Sequence, residues 1–169
     1  MKKLMDILPV LLVVLFLTSG CAPVISKGIR EQVDKEIRFE DVIQDPEGYE
    51  GKMVLWGGVI IGAKNLKEGT LIEVLRTATD RQGRPKNIDR SEGRFLALYD
   101  GYLDVAIYAQ GREVTVAGEM KGKRVLPLDE IDYTYPLISV KEIHLWPVKR
   151  EERVYPYPYW HYPWWWYHP

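Results

Sequence analysis

Short β-branched runs separated by glycine-rich turns dominate residues 52–148 and constrain the fold more than any other feature. In the run at residues 113–120, Val114, Val116 and Gly118 fall on one face of an extended chain. Alternation with a period of two is typical of a strand that buries one face. The pattern predicts strands at residues 53–61, 70–77, 94–99, 113–120 and 137–146, with a further short return at residues 123–126.

Five to six strands with one short helix predict a mostly β fold, a compact barrel or sandwich. We expect a small closed or partly open β-barrel of the oligonucleotide-binding (OB) type. Gly57-Gly58 indicates a bulge or a sharp bend in the first strand. Gly122 indicates a turn. The apolar phase of the last strand shifts near Lys141-Glu142, which predicts a bulge.

Two segments that are not strands precede or interrupt this pattern. Residues 39–43 favour a short helix, which should end at residues 44–46 because Pro46 disfavours helical geometry in the residue before it. Residues 79–93 are rich in charge, glycine and proline, which predicts a long exposed loop.

The N-terminus has the three parts of an export signal. Lys2 and Lys3 are followed by an apolar run at residues 7–17 and by Ser19-Gly20-Cys21. A cysteine in this position resembles the lipobox of a bacterial lipoprotein, which implies cleavage before Cys21, acylation of Cys21 and attachment to membrane lipid. The alternative is an uncleaved anchor, but the run is shorter than the roughly 20 apolar residues of a spanning helix.

Composition excludes several classes of function. Cys21 is the only cysteine, so the mature chain can form neither an intramolecular disulfide nor a thiolate metal site. A formal net charge of −1 gives no electrostatic argument for a nucleic-acid partner. The sequence predicts no catalytic residues, no metal site and no cofactor, because it lacks phosphate-binding glycine loops and hydrolase motifs.

Scattered polar residues have ordinary explanations. We expect His144 to be an outward or capped residue of the last strand. Asp129, Glu130 and Asp132 match no EF-hand spacing and indicate a solvated turn.

The C-terminal tail changes composition abruptly. It contains four of the six tryptophans and five of the eleven tyrosines, interleaved with prolines that favour an extended chain. Three interpretations are open: contact with the membrane–water interface, binding of an envelope protein or glycan, or packing onto the domain itself. His161 and His168 alone are a weak metal signal. The candidate contact residues are Tyr155, Tyr157, Tyr159, Trp160, Tyr162, Trp164, Trp165, Trp166 and Tyr167.

Several short motifs follow one another in a fixed order along the chain. They are residues 45–52 (DPEGYEGK), 54, 56–60 (WGGVI), 91–95 (SEGRF), 100–104 (DGYLD), 111–118 (GREVTVAG) and 122. Their order and spacing resemble the Slp family of starvation-inducible outer-membrane lipoproteins. The resemblance spans roughly residues 21–146, and the tail lies outside it. It implies a small β-rich envelope lipoprotein linked to starvation or acid stress, and it supplies no enzymatic mechanism.

The predicted organisation has four parts. Residues 1–20 form a lipoprotein signal peptide, residues 21–36 a lipidated N-terminus and spacer, residues 37–148 the β-barrel, and residues 149–169 a charged linker and aromatic tail. The expected protein is a non-enzymatic lipoprotein of the outer membrane, facing the periplasm and related to stress or starvation. The alternative is an envelope carbohydrate- or protein-binding module that uses the tail.

Overall fold

Five strands close into a barrel in the computed structural model, which describes residues 23–148. The strand order is β1-β2-β3-β5-β4, and β1 pairs with both β2 and β4. All pairs are antiparallel except β3 with β5. This order confirms the predicted small OB-type barrel. The strands are β1 Met53–Leu66, β2 Gly69–Thr77, β3 Ser91–Tyr99, β4 Glu113–Leu128 and β5 Ile131–Leu145, and the helices are α1 Lys27–Gln32 and α2 Phe39–Gln44.

Strand β1 serves both halves of the barrel. Its first half pairs with β4 and its second half with β2, and Gly57 and Gly58 lie where the two pairings overlap. A Cβ atom on Gly58 would collide with the carbonyl oxygen of Leu75, so these glycines permit close strand contact. Of the two predicted irregularities, the bulge is not at these glycines, because the register shift between β1 and β2 lies between Ile60 and Gly62; the alternative of a sharp bend at Gly57-Gly58 stays a prediction.

The predicted turn at Gly122 is wrong. Gly122 lies inside β4, at a register shift between Met120 and Lys123, and the predicted short return at residues 123–126 is the continuation of the same strand. Its positive φ of 76° is absorbed by this irregularity rather than by a reversal of the chain. The reversal comes at residues 129–130.

The bulge predicted in the last strand is confirmed. Ala117 pairs with Glu142 and Gly118 pairs with Val140, so Lys141 is the extra residue in β5. Because of this extra residue, Ile143 and Leu145 face the same side of β5 as Ile138 and Val140 and pack against the core.

Helix α2 closes one end of the barrel, and its position confirms the short helix predicted there. The Phe39 ring lies 4.7 Å from that of Trp56, and the Trp56 ring lies 5.4 Å from that of Phe95. Residues of α2 lie beside Gly93, near the start of β3. Since Thr77 pairs with Ser91 and Thr70 with Tyr99, the connection that follows β3 begins at the other end of the barrel. There the backbone N–H of Leu103 donates to Oγ1 of Thr70 at 2.9 Å.

A second apolar cluster covers the outer face of the barrel. Leu71 and Leu96 point away from the inner core, because Ile72 and Phe95 on the same strands are core residues. Tyr135 completes this outer cluster. Strands β2 and β3 are therefore buried on both faces at this point.

Candidate functional site

The residues predicted as functional lie outside the part of the chain that the structure describes. This applies to Cys21 and to all nine aromatic residues of the tail. The structure does show how the barrel holds the described segments that lead to them.

The segment that follows Cys21 packs on the barrel. Ile25 is buried, and the backbone N–H of Ser26 donates to both carboxylate oxygens of Glu142 at 3.1 and 3.0 Å. Further along, the backbone N–H of Asp34 donates to the carbonyl oxygen of Met53 at 3.0 Å. Helix α1, between these two attachments, lies within the predicted spacer at residues 21–36.

The segment that leads to the tail is also fixed. Trp146 is buried, and its indole N–H donates to Oγ1 of Thr115 at 2.9 Å. The guanidinium of Arg84 lies 5.1 Å from the centre of a Trp146 ring. Arg84 belongs to the predicted loop, so this loop packs in part against the barrel. His144, a residue of β5, places its ring 4.7 Å from that of Trp146.

A cavity of about 640 Å³ lies between the N-terminal segment and the end of the barrel that α2 closes. We call it the arginine pocket. Helix α1 supplies Arg30 and β2 supplies Arg76, and sequence reasoning missed both. Its lining includes the cations Lys27, Arg30, Lys35 and Arg76, the carboxylates of Glu31 and Asp34, and the apolar side chains of Leu55 and Trp56.

Arg76 occupies an inward position. Residues two apart on a strand share a face, and Ile72 and Val74 on the same face are both core residues. The guanidinium of Arg76 accordingly reaches the ring of Phe39, 5.9 Å from its centre. Burial lowers the pKa of the Arg76 guanidinium, and the carboxylates of Glu92 and Glu40 oppose this shift.

On the outer face, Arg94 has the opposite environment. Its Nη1 donates to Oε1 of Glu73 at 2.7 Å, and the hydroxyl of Tyr135 lies 3.2 Å from the same oxygen. The hydrogen bond with Glu73 raises the pKa of Arg94, against the effect of burial. This cluster satisfies its own charges and forms part of the barrel wall.

The acidic residues of the described part of the chain are dispersed. Within residues 23–148, no three His, Cys, Asp or Glu side chains are grouped so that they could hold a metal ion. Asp129 and Glu130 form the exposed turn between β4 and β5, and Asp132 lies just inside β5. No helix in this part of the chain has the length and apolar character needed to cross a membrane.

The fold defines a small OB-type β-barrel domain with packed segments at both ends. The chain belongs to the outer membrane lipoprotein Slp family, which it matches over residues 18–169. This membership confirms the predicted family and places the protein at the outer membrane as a lipoprotein.

Two relatives come from Escherichia coli (strain K12). The outer membrane protein Slp is 28% identical over 136 residues, which cover 79% of this chain and 71% of that protein. The uncharacterized lipoprotein YeaY is 26% identical over 117 residues, covering 69% of this chain and 60% of that protein. Neither name describes an enzyme.

Among solved structures, the small single-stranded DNA-binding protein from Streptomyces coelicolor is similar to the barrel. The two share 17% identity with a TM-score of 0.35, over 56% of this chain and 94% of that one.

Proposed function

We propose that the protein is a non-enzymatic lipoprotein, anchored by acylated Cys21 on the periplasmic face of the outer membrane. There its barrel binds or stabilises envelope components during stress or starvation. Membership of the Slp family supports the location, and the names of the relatives support a role other than catalysis.

The packing of the N-terminal segment carries this proposal. Ile25 is buried in the domain only four residues after Cys21. Four residues of extended chain span at most about 14 Å. An acyl chain on Cys21 would therefore hold the barrel close to the bilayer, and more than one chain makes such attachment stable.

Substitution of Cys21 by alanine tests the anchor. We expect the C21A protein either to remain an uncleaved precursor or to leave the membrane fraction when cells are fractionated. Ser26→Ala is the matched control, because Ser26 contacts Glu142 through its backbone N–H rather than its hydroxyl. Wild-type processing and membrane recovery of the C21A protein would show that lipidation is the wrong anchor.

The aromatic tail supports a second candidate function, binding of an envelope glycan or protein. Trp and Tyr rings suit both the membrane interface and partner pockets. Trp146 is held by Thr115, so the tail starts from a fixed point on the barrel.

The two tail functions can be separated with an unlipidated protein that begins at Ala22, which carries neither the apolar signal segment nor an acyl chain. The protein is mixed with liposomes or with peptidoglycan and sedimented, with and without alanine at Trp164, Trp165 and Trp166. Tail-dependent pelleting with liposomes supports interfacial contact, and tail-dependent pelleting with peptidoglycan alone supports glycan binding. If the substitutions change neither result, the tail does not contact lipid or peptidoglycan through these tryptophans.

A further inference from the structure

The arginine pocket contains guanidinium groups whose hydrogen-bonding capacity is unused. Nε and Nη1 of Arg76 and Nε of Arg30 are buried and have no hydrogen-bond partner among the described residues. Buried polar groups are otherwise nearly always hydrogen-bonded, because an unmade bond in a desolvated place is costly. Two such arginines lining one cavity indicate a missing partner.

The nearest carboxylate does not supply that partner. Nη2 of Arg76 lies 3.6 Å from Oε2 of Glu92, which is beyond the distance of a charge-assisted hydrogen bond. This ion pair also involves a different nitrogen from the two that are buried and unpartnered. Glu92 thus balances part of the charge of Arg76 and leaves its buried Nε and Nη1 without a partner among the described residues.

The remaining charges favour an anion. Lys27, Arg30, Lys35 and Arg76 line the cavity, against two carboxylates from Glu31 and Asp34. Glu31 lies 3.6 Å from Lys27, and both side chains are largely exposed. Among the lining residues the cations therefore outnumber the carboxylates by four to two, and Glu92 and Glu40, which act on Arg76 from outside the lining, offset part of this excess.

We propose that the arginine pocket binds a phosphate group, carried either by the headgroup of an anionic phospholipid or by a soluble phosphate. A guanidinium N–H donates a strong charge-assisted hydrogen bond to a phosphate oxygen, and Nε and Nη1 of Arg76 and Nε of Arg30 are donors of this kind without a partner among the described residues. The assignment goes beyond the proposed anchoring function and holds whether or not Cys21 is acylated.

The size and walls of the pocket agree with a phosphate that is part of a larger group. A volume of about 640 Å³ is within the roughly 300–1,000 Å³ of small-molecule sites. Leu55 and Trp56 add apolar surface beside the cations. The pocket also lies next to α1, which begins six residues after the predicted attachment point at Cys21.

Isothermal titration calorimetry of the full-length protein in a neutral detergent tests the proposal. The titrants are inorganic phosphate, dihexanoyl phosphatidylglycerol and, for comparison, zwitterionic dihexanoyl phosphatidylcholine, in a phosphate-free buffer of constant ionic strength. We expect Arg76→Gln and Arg30→Gln each to weaken phosphate or phosphatidylglycerol binding by about tenfold or more. Arg76→Lys should weaken it less than Arg76→Gln, because lysine keeps the positive charge but lacks the Nε–H and Nη1–H donors of arginine.

Arg81→Gln is the matched control, since Arg81 is exposed, carries the same charge and does not line the pocket. It should change binding less than twofold. Near-ultraviolet circular dichroism checks that each variant is folded. Arg30 lies on a helix without buried residues, so Arg30→Gln alone is sufficient to test the proposal if Arg76→Gln does not fold.

The titrants distinguish the two sources of phosphate. Arginine-dependent binding of both anions supports a general phosphate site. Binding of phosphatidylglycerol alone supports a lipid headgroup, and binding of inorganic phosphate alone supports a soluble ligand. The proposal is overturned if neither anion binds at about 10 mM, or if binding is unchanged in both glutamine variants.

Discussion

Two partly buried arginines on adjacent strands have opposite surroundings. Arg94 on β3 faces outward and donates to Glu73 at 2.7 Å, within a cluster that Tyr135 completes. Arg76 on β2 faces the barrel end, above Phe39, with two buried nitrogens that have no partner among the described residues. The pKa of Arg94 is raised by its carboxylate partner, and that of Arg76 is lowered by burial.

The comparison indicates that Arg94 stabilises the fold, whereas Arg76 is suited to binding a ligand. A paired charge loses stability when its partner is removed, because the remaining group stays desolvated and unsatisfied. Arg76 has an ion pair with Glu92 but still buries two nitrogens that lack a partner among the described residues, so neutralising it should relieve a desolvation cost and abolish binding. The variants below test this contrast through the free energy of unfolding, measured with urea.

The largest effect is expected at the ring beneath Arg76. Phe39→Ala removes the ring that contacts both Trp56 and Phe95, and it opens the end of the barrel. Truncation of a buried phenylalanine typically costs about 3–5 kcal/mol. Phe39→Leu, which keeps apolar volume, should cost clearly less. A loss below about 1 kcal/mol for F39A would show that α2 does not stabilise this end of the barrel.

The next effect concerns the outer cluster. Glu73→Gln removes the carboxylate that Arg94 and Tyr135 share, and both side chains of the ion pair are less than a third exposed. We expect a loss of about 1–3 kcal/mol. Glu47→Gln is the control, because the pair of Glu47 with Lys123 is exposed and should contribute less than about 1 kcal/mol. Equal losses in the two variants would remove the distinction between a buried and a surface ion pair.

Arg76→Met should raise the free energy of unfolding rather than lower it. Without phosphate, we expect this variant to be more stable than wild type by up to about 1 kcal/mol, because a desolvated charge is replaced by a flexible apolar chain. Adding phosphate should stabilise the wild type and leave the variant unchanged, since a ligand that binds only the folded state shifts unfolding by mass action. A destabilised Arg76→Met variant would instead make Arg76 a structural residue like Arg94.

The sequence predicted the fold where local patterns decide it. Alternation at residues 113–120 identified the first half of β4, and the phase shift near Lys141 identified a bulge. It did not predict that β4 continues past Gly122, because a positive-φ glycine suits a bulge as well as a turn. The parallel pairing of β3 with β5, which closes the ring, joins strands far apart in sequence and has no local signal.

The arginine pocket was missed for a different reason. Leu71 and Ile72 face opposite sides of β2, yet both are buried, because an outer cluster covers the second face. The apolar run therefore shows no clear alternation, and the inward direction of Arg76 cannot be assigned from it. Arg30 comes from a helix within the predicted lipidated N-terminus and spacer at residues 21–36, where the sequence pointed only to Cys21 as a functional residue.

The smallest expected effect separates the hydroxyl of Tyr135 from the rest of the outer cluster. Burial, and secondarily Glu73, raises the pKa of Tyr135 above its usual value of about 10. Its contribution to stability is therefore fully present below about pH 10 and is lost as the pH rises through the pKa of the folded state. Tyr135→Phe should lose about 0.5–1 kcal/mol at pH 7, because the 3.2 Å hydrogen bond to Glu73 is removed.

Above about pH 10 the gap between wild type and Tyr135→Phe should narrow, because only the wild type has a buried phenol that ionises more readily when unfolded. Urea unfolding of both proteins from pH 7 to pH 11 measures this gap, and other alkaline effects are common to the two. Tyr102→Phe is the control, since Tyr102 is 71% exposed and should show no difference from wild type at any pH. A constant gap up to pH 11 would mean that the phenol of Tyr135 ionises alike in the folded and unfolded chains. If the gap is also absent at pH 7, the outer cluster stabilises the barrel through the Arg94–Glu73 pair alone, and the contrast with Arg76 rests on that pair.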